Sequence, residues 1–359
     1  MSNATSGPSA TTGPPASVQP SAFTGDLVAR VVEVAGRAPS IHNTQPWRWR
    51  LERDRLELRA DRDRQLRVAD PDGHSLRVSC GAALALAELA FRVEGWLVGT
   101  ERLFDSDDPD LLARFSDPSP HESTQAERDQ LAAAARRHSE RRPFQRREVP
   151  PDLVEHLRSA ADGAAVHTHF PVREDEKLGL AVAVSWADRI ERNDAAYVAE
   201  MNRWMHDTDV HTEEVRTDGV PTDSIPHVPA GHPRHTDIPL RDFEIGVSGR
   251  EQIEADIDER PVIAVLLTQS DTPREQLAAG ESMMRLMLQA EMAGLASCPL
   301  SQAVDLVAFR SRVQALMGWT SYPQMMLRLG YPPPDQSPPP RSPRRPVADQ
   351  LEIITAASD

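Results

Sequence analysis

Four short stretches hold the residue types of this chain that could do chemistry. Arg37 to Arg50, RAPSIHNTQPWRWR, sets Pro39, Ser40, Ile41, Asn43 and Gln45 beside Trp47 and Trp49, two of the six tryptophans in a chain only 5% aromatic. Arg136 to Phe144, RRHSERRPF, is a basic run containing Arg137, His138 and Ser139; Gly294 to Gln302, GLASCPLSQ, contains Pro299, Leu300 and Ser301; Pro343 to Val347, PRRPV, puts Arg344 in a Pro-rich tail. Hydroxyl and amide side chains offer donors and acceptors to the edge of a polar ring system. A guanidinium fork reads phosphate bidentately. Each stretch alone also has an ordinary reading: a loop, a solvated basic helix end, a glycine C-cap before a Pro-terminated turn, and a linker.

Composition narrows the function classes. Forty Lys and Arg against 55 Asp and Glu give a net charge of −15, and 39% of residues are apolar, as expected of an acidic soluble globular chain. Such a charge repels phosphate backbones, so nucleic acid is not an expected partner, although a local arginine cluster can hold one small anion. No apolar run approaches the ~18 residues that span a bilayer, so no membrane partner is expected. Cys80 and Cys298 allow at most one disulfide, which suits a reducing cytoplasm. Cys298 is either redox-active or a small core residue. His206, His211, His227, His232 and His235 crowd one region but lack the Cys or acidic spacing of a zinc site, so no metal is expected. Dinucleotide-binding, P-loop and serine-hydrolase motifs are absent.

The elements that must position these residues read as a duplication. DLVARVVEVAGRAPSIHN from Asp26 and DLVEHLRSAADGAAVHTH from Asp152 both open an amphipathic helix, 126 positions apart. GAALALAELAFRVEGW from Gly81 and GESMMRLMLQAEMAGL from Gly280 match 199 positions apart, so the second copy carries about 73 additional residues. Chance similarity of short amphipathic helices is the competing explanation. The sequence predicts a disordered tail at 1–22, a first half at 23–130 and a second half at 131–355, with a lid-like insertion at about 187–243 rich in Pro, Gly, Asp and His. A hairpin turning at Arg53-Asp54 and buried strands after Pro261 and at Pro323 complete an α+β fold, with helices flanking two sheets.

Together the four stretches resemble the nitroreductase superfamily of flavin enzymes. Pro39-Ser40-Ile41-His42-Asn43-Thr44-Gln45-Pro46-Trp47 resembles its P-S-x-x-N-x-Q-P-W loop, and Arg137-His138-Ser139 with the following Arg141 and Phe144 its R-x-S-x-R-x-F opening. Gly294 to Pro299 resembles its G-L-x-S-x-P segment, and Leu329-Gly330-Tyr331-Pro332 with Arg344 its ending. The resemblance implies an FMN cofactor, with Pro39, Ser40, Ile41 and Asn43 covering it. Arg137, His138, Ser139 and Arg344 would lie along its phosphate and ribityl chain, and Pro299, Leu300 and Ser301 at its N5 edge. NAD(P)H is the implied electron donor and a nitro compound, quinone or similar small molecule the acceptor. At an offset of 126 the second copy has Ala165, Val166 and His169 where the covering loop would be, so only one site can be assembled. This asymmetry resembles the Acg-like branch, in which two nitroreductase halves are fused into an internal pseudo-dimer, for which a single chain suffices. The alternative in that branch is a flavin-sequestering protein whose insertion closes the pocket.

Overall fold

The computed structural model describes residues 23–102, 107–206, 216–224, 226–227, 251–252, 259–333 and 338–354. The tail expected at 1–22 and much of the insertion, His211, His232 and His235 included, lie outside the described residues. Thr24 accepts the Leu27 N–H and starts α1 (Gly25–Ala35), whose Leu27, Val28, Val31 and Val32 all face the core at helical spacing. After a 3-10 turn, Ile41–Asn43, come β1 (Trp47–Glu52) and β2 (Arg55–Ala60), joined at Arg53, which takes a left-handed φ of 55°. Then follow α2 (His74–Val93), β3 (Trp96–Arg102), β4 (Leu111–Pro120) and α3 (Gln125–Arg136), the last opened by a Thr124/Glu127 capping box.

The chain then runs through these elements again. It forms α4 (Pro151–Ala161), β5 (Val166–His169), α5 (Glu174–Asn193) and α6 (Ala195–Arg203), then the two-residue strands β6 (Met205–His206), β7 (Val220–Pro221), β8 (Pro226–His227) and β9 (Glu251–Gln252). β10 (Val262–Thr268), α7 (Pro273–Met292), β11 (Ala296–Leu300), α8 (Val307–Met317), β12 (Tyr322–Gly330) and β13 (Leu351–Ile354) complete it. One sheet has the order β13-β1-β2-β4-β3 and the other β5-β10-β12-β11, so four strands of the first recur in the same spatial order in the second. α1 and α4 are both 11 residues, α2 and α7 both 20, and the starts of these pairs keep the 126 and 199 spacings seen in the sequence.

α2 and α7 cross at Gly81 and Gly280, where each glycine lies against the other helix's backbone at Leu277 and Val78. Val78 and Leu277 are themselves 199 apart, and Arg77 Nε donates to Gln276 Oε1 at 2.5 Å across the same crossing. Gly81 thus meets Leu277 and Gly280 meets Val78, a reciprocal pair of backbone approaches at one crossing. The main core is continuous across it, drawing buried side chains from α1, α2, α4, α7 and both sheets.

The two sheets differ at their edges. β13 comes from the far end of the chain and pairs in parallel with β1, Trp49 opposite Leu351. β5 is closed by its own chain: Asp162 Oδ1 accepts the Thr168 N–H at 2.6 Å and Gly163 N–H donates to Val166 O at 3.0 Å, which blunts the edge. α5 runs unbroken through Trp186, so the border expected near 187 falls inside a helix. α5 and α8 cover one face of the β10-β12-β11 sheet over a second core that includes Cys298. No helix among the described residues is long and apolar enough to cross a membrane.

Candidate functional site

The loop between α1 and β1 is held in a strained shape. His42, Asn43 and Gln45 all have positive φ, 45°, 54° and 49°, a region uncommon outside glycine and least suited to the glutamine of the three. Several bonds compensate. Ser40 Oγ accepts the Gln45 N–H at 2.9 Å, and Ser79 Oγ on α2 accepts the Ile41 N–H at 3.2 Å. Gln45 Nε2 donates to Thr217 O at 2.9 Å while its Oε1 accepts the Arg345 N–H at 2.8 Å. Trp47 is fully buried and its Nε1 donates to Gln350 Oε1 at 2.7 Å, tying the loop to the segment before β13.

Two arginines converge below this loop. Arg137, the C-cap of α3, donates from Nη2 to Arg37 O at 3.1 Å; Arg344 donates from Nη2 to the same carbonyl at 3.5 Å. Arg137 is 8% exposed, its Nε and Nη1 have no hydrogen-bond partner, and neither does Arg344 Nε. Among the described residues neither makes an ion pair. Glu291, whose field reaches Arg137, is bonded to Arg136 instead. Burial pulls Arg137 down to about 10; burial and the neighbouring Arg137 pull Arg344 down to about 9. Two cations held together with buried, unbonded donors form a site complementary to an anion with several acceptor oxygens.

The third wall runs along β11. Ser139 bridges to Ser297, and Glu140 N–H donates to Ser297 O at 2.9 Å, so the segment after Arg137 lies against the strand that leads to Ser301. Ser301 Oγ donates to Asp305 Oδ2 at 3.1 Å, and Ser75 Oγ at the start of α2 donates to Asp305 Oδ1 at 2.8 Å. Asp305, fully buried, thereby ties the start of α2 to the segment after β11. Pro299 is half-buried and Leu300 belongs to the second core. Cys298 is buried there too, and burial pushes its thiol up, the condition of a packing residue rather than a nucleophile.

Glu140 fixes the Arg137-Ser139 segment and gives a test by pH. It is fully buried; burial alone would raise its carboxyl, but Arg142 and the half-buried His138, 3.4 Å away, hold it at about 2. The folded value lies below the unfolded one, so this stabilisation is present above pH ~4.5 and lost as pH falls toward 2, amounting to about 3 kcal/mol. Urea midpoints measured from pH 6 to pH 3 should fall less steeply in Glu140→Gln than in the parent chain. Equal slopes would mean that Glu140 is not held ionised.

The structure brings Arg137 and Arg344 together on Arg37 O, sets Asn43 against Arg344 and Ser40 against Asn43, whose N–H donates to Ser40 O, and lays Ser139 beside the β11 strand that ends at Leu300. It also engages Asn43 in a way the sequence did not suggest. Its Nδ2 donates to Gly219 O (2.9 Å) and Pro343 O (3.0 Å), and its Oδ1 accepts from Arg344 Nη1 (3.0 Å). Asp305, Gln45, Arg64 and Asp218 were not singled out as site residues. Of these only Gln45 carried a signal, its place in the Q-P-W end of the loop. His206 is half-buried and no metal-binding cluster occurs among the described residues.

The sequence profile described as the nitroreductase family matches residues 134–331. "Putative NAD(P)H nitroreductase acg" of Mycobacterium tuberculosis (strain ATCC 25618 / H37Rv) is 32% identical over 92% of this chain and 96% of its own length. "Putative NAD(P)H nitroreductase Rv3131" of the same strain is 33% identical over 91% of both chains. A solved nitroreductase with bound FMN from Desulfitobacterium hafniense aligns over 63% of this chain and 98% of its own, at 12% identity and a TM-score of 0.38. A profile that spans more than half of the sequence, with relatives this similar over nearly its full length, means that the chain belongs to the nitroreductase family.

Proposed function

We propose that this chain is an FMN-binding oxidoreductase of nitroreductase type that takes hydride from NAD(P)H and reduces a small-molecule acceptor such as a nitro compound or quinone. The observation that carries the reading is the pair Arg137 and Arg344, two guanidinium groups with unbonded N–H donors and no carboxylate partner among the described residues. Those donors fit a phosphate monoester. Ser139 would lie along the ribityl chain; Pro39, Ser40, Ile41 and Asn43 would cover the ring system; Pro299, Leu300 and Ser301 would line its reactive edge. FMN, when bound, supplies the hydride chemistry, and the residues bind, orient and exclude water. In this reading the two halves form one site and one chain suffices as the working unit, in a reducing cytoplasm where both buried cysteines stay free.

A second reading, flavin sequestration, is supported by a turn of the insertion, Thr217 to Gly219, seated on the covering loop. One experiment separates them. The purified chain should show flavin absorption bands at one FMN per chain, and anaerobic NADPH or NADH should bleach them. Persistent oxidised bands would favour sequestration, and a colourless protein that takes up no FMN would sink both readings.

A further inference from the structure

We propose that Asn43 is a positioning residue that couples anion binding at Arg137 and Arg344 to docking of the insertion turn Thr217-Asp218-Gly219; the identity of the anion as FMN phosphate rests on the reading above. The amide orientation of Asn43 is fixed by its partners, because a guanidinium needs an acceptor and carbonyls need donors. Its Oδ1 therefore takes Arg344 Nη1, and its Nδ2 spans Gly219 O in the insertion and Pro343 O in the late segment.

The turn is fastened at three further points. Gly219 N–H donates to Asn43 O at 3.3 Å, Gln45 Nε2 donates to Thr217 O, and Arg64 pairs with Asp218, which Arg216 also approaches at 3.2 Å. Arg64 Nε in turn donates to Thr44 O at 2.5 Å, so the ion pair is anchored on the loop itself. One side chain thus touches the insertion on one side and an anion-site arginine on the other. With the turn docked, Asn43 holds the Nη1 side of Arg344 in place and leaves its unbonded Nε available beside Arg137. Undocking releases that hold and binding weakens. Linkage makes the effect reciprocal: an anion that needs Arg344 ordered must tighten the turn by the same factor.

Asp218→Asn tests this without touching Arg137, Arg344 or Asn43. In the full-length chain it should weaken FMN binding about fivefold or more, the lower end of usual coupling strengths, and leave riboflavin, which lacks the phosphate, unaffected. Saturation with FMN, or with inorganic phosphate alone, should slow hydrogen exchange at the Gly219 and Val220 amides, which donate to Asn43 O and Trp204 O. In an Asn43→Gly background, which keeps the left-handed backbone accessible, adding Asp218→Asn should change FMN affinity no further. Equal FMN affinity in the parent and Asp218→Asn chains, or unchanged exchange at these amides with FMN bound, would overturn the coupling. A chain that binds phosphate with slowed exchange at 219–220 yet takes up no flavin would keep the coupling and discard the FMN reading.

Discussion

Arg137→Met and Arg344→Met should each lower FMN affinity roughly ten- to a hundredfold, because losing a charge-assisted phosphate contact costs about 1.5–3 kcal/mol. Arg137→Met should nevertheless leave the flavin-free protein as stable as before, or more so. The two outcomes have opposite signs for one reason. Without a bound anion Arg137 is a buried cation with two unbonded donor nitrogens and no carboxylate partner among the described residues, and burial depresses it to about 10. Methionine keeps the stem's packing and removes the stranded charge. A residue retained only for structure would show loss of stability first and loss of ligand as its consequence. FMN and riboflavin titrations beside urea melts of the apo protein make the comparison; unchanged FMN affinity, or a loss equal for riboflavin, would remove Arg137 and Arg344 from the phosphate.

The parts of the fold legible in the sequence are those written locally. Asp in the first turn and apolar spacing announced α1 and α4, the Arg53-Asp54 turn announced the β1-β2 hairpin, and the matching glycines at 81 and 280 announced α2 and α7. The border expected near 187 rested on Pro, Gly and His composition, which carries no period, and it falls inside α5. Leu180, Ala183, Val184 and Ala187 are buried at helical spacing straight through Trp186. β13 escaped notice because four residues after a Pro-rich segment carry little strand signal, and its pairing with β1 joins positions about three hundred residues apart. The site divides in the same way. Residue types and motif spacing singled out Ser40, Asn43, Arg137 and Arg344, but the actual partners of Asn43 lie 176 and 301 positions away. Nothing local in a sequence specifies a contact at that distance.

Gly280→Ala should destabilise the chain by more than about 3 kcal/mol, above the usual range for overpacking. A methyl carbon added at Gly280 would stand 1.9 Å from the Val78 carbonyl oxygen, far inside van der Waals contact, and 2.9 Å from Gly81 Cα; one added at Gly81 would stand 2.0 Å from the Leu277 carbonyl oxygen and 3.0 Å from Gly280 Cα. The obstacle in each case is backbone, which has no rotamer to turn aside, so α2 and α7 must separate. Separation opens a core shared by both halves, and the anion site depends on both: Arg37 on one side, Arg137 and Arg344 on the other. Gly163→Ala is the control. It has ordinary φ, its nearest neighbour is the flexible end of Arg285 at 3.2 Å, and its effect should stay within about 0.5 kcal/mol. Gly81→Ala combined with Gly280→Ala should cost less than the two single changes added together, since one separation of the helices relieves both clashes. Denaturant midpoints of the four variants decide the matter. A Gly280→Ala cost below about 1 kcal/mol, or strict additivity of the pair, would mean that the crossing is loose and that the halves are held together elsewhere.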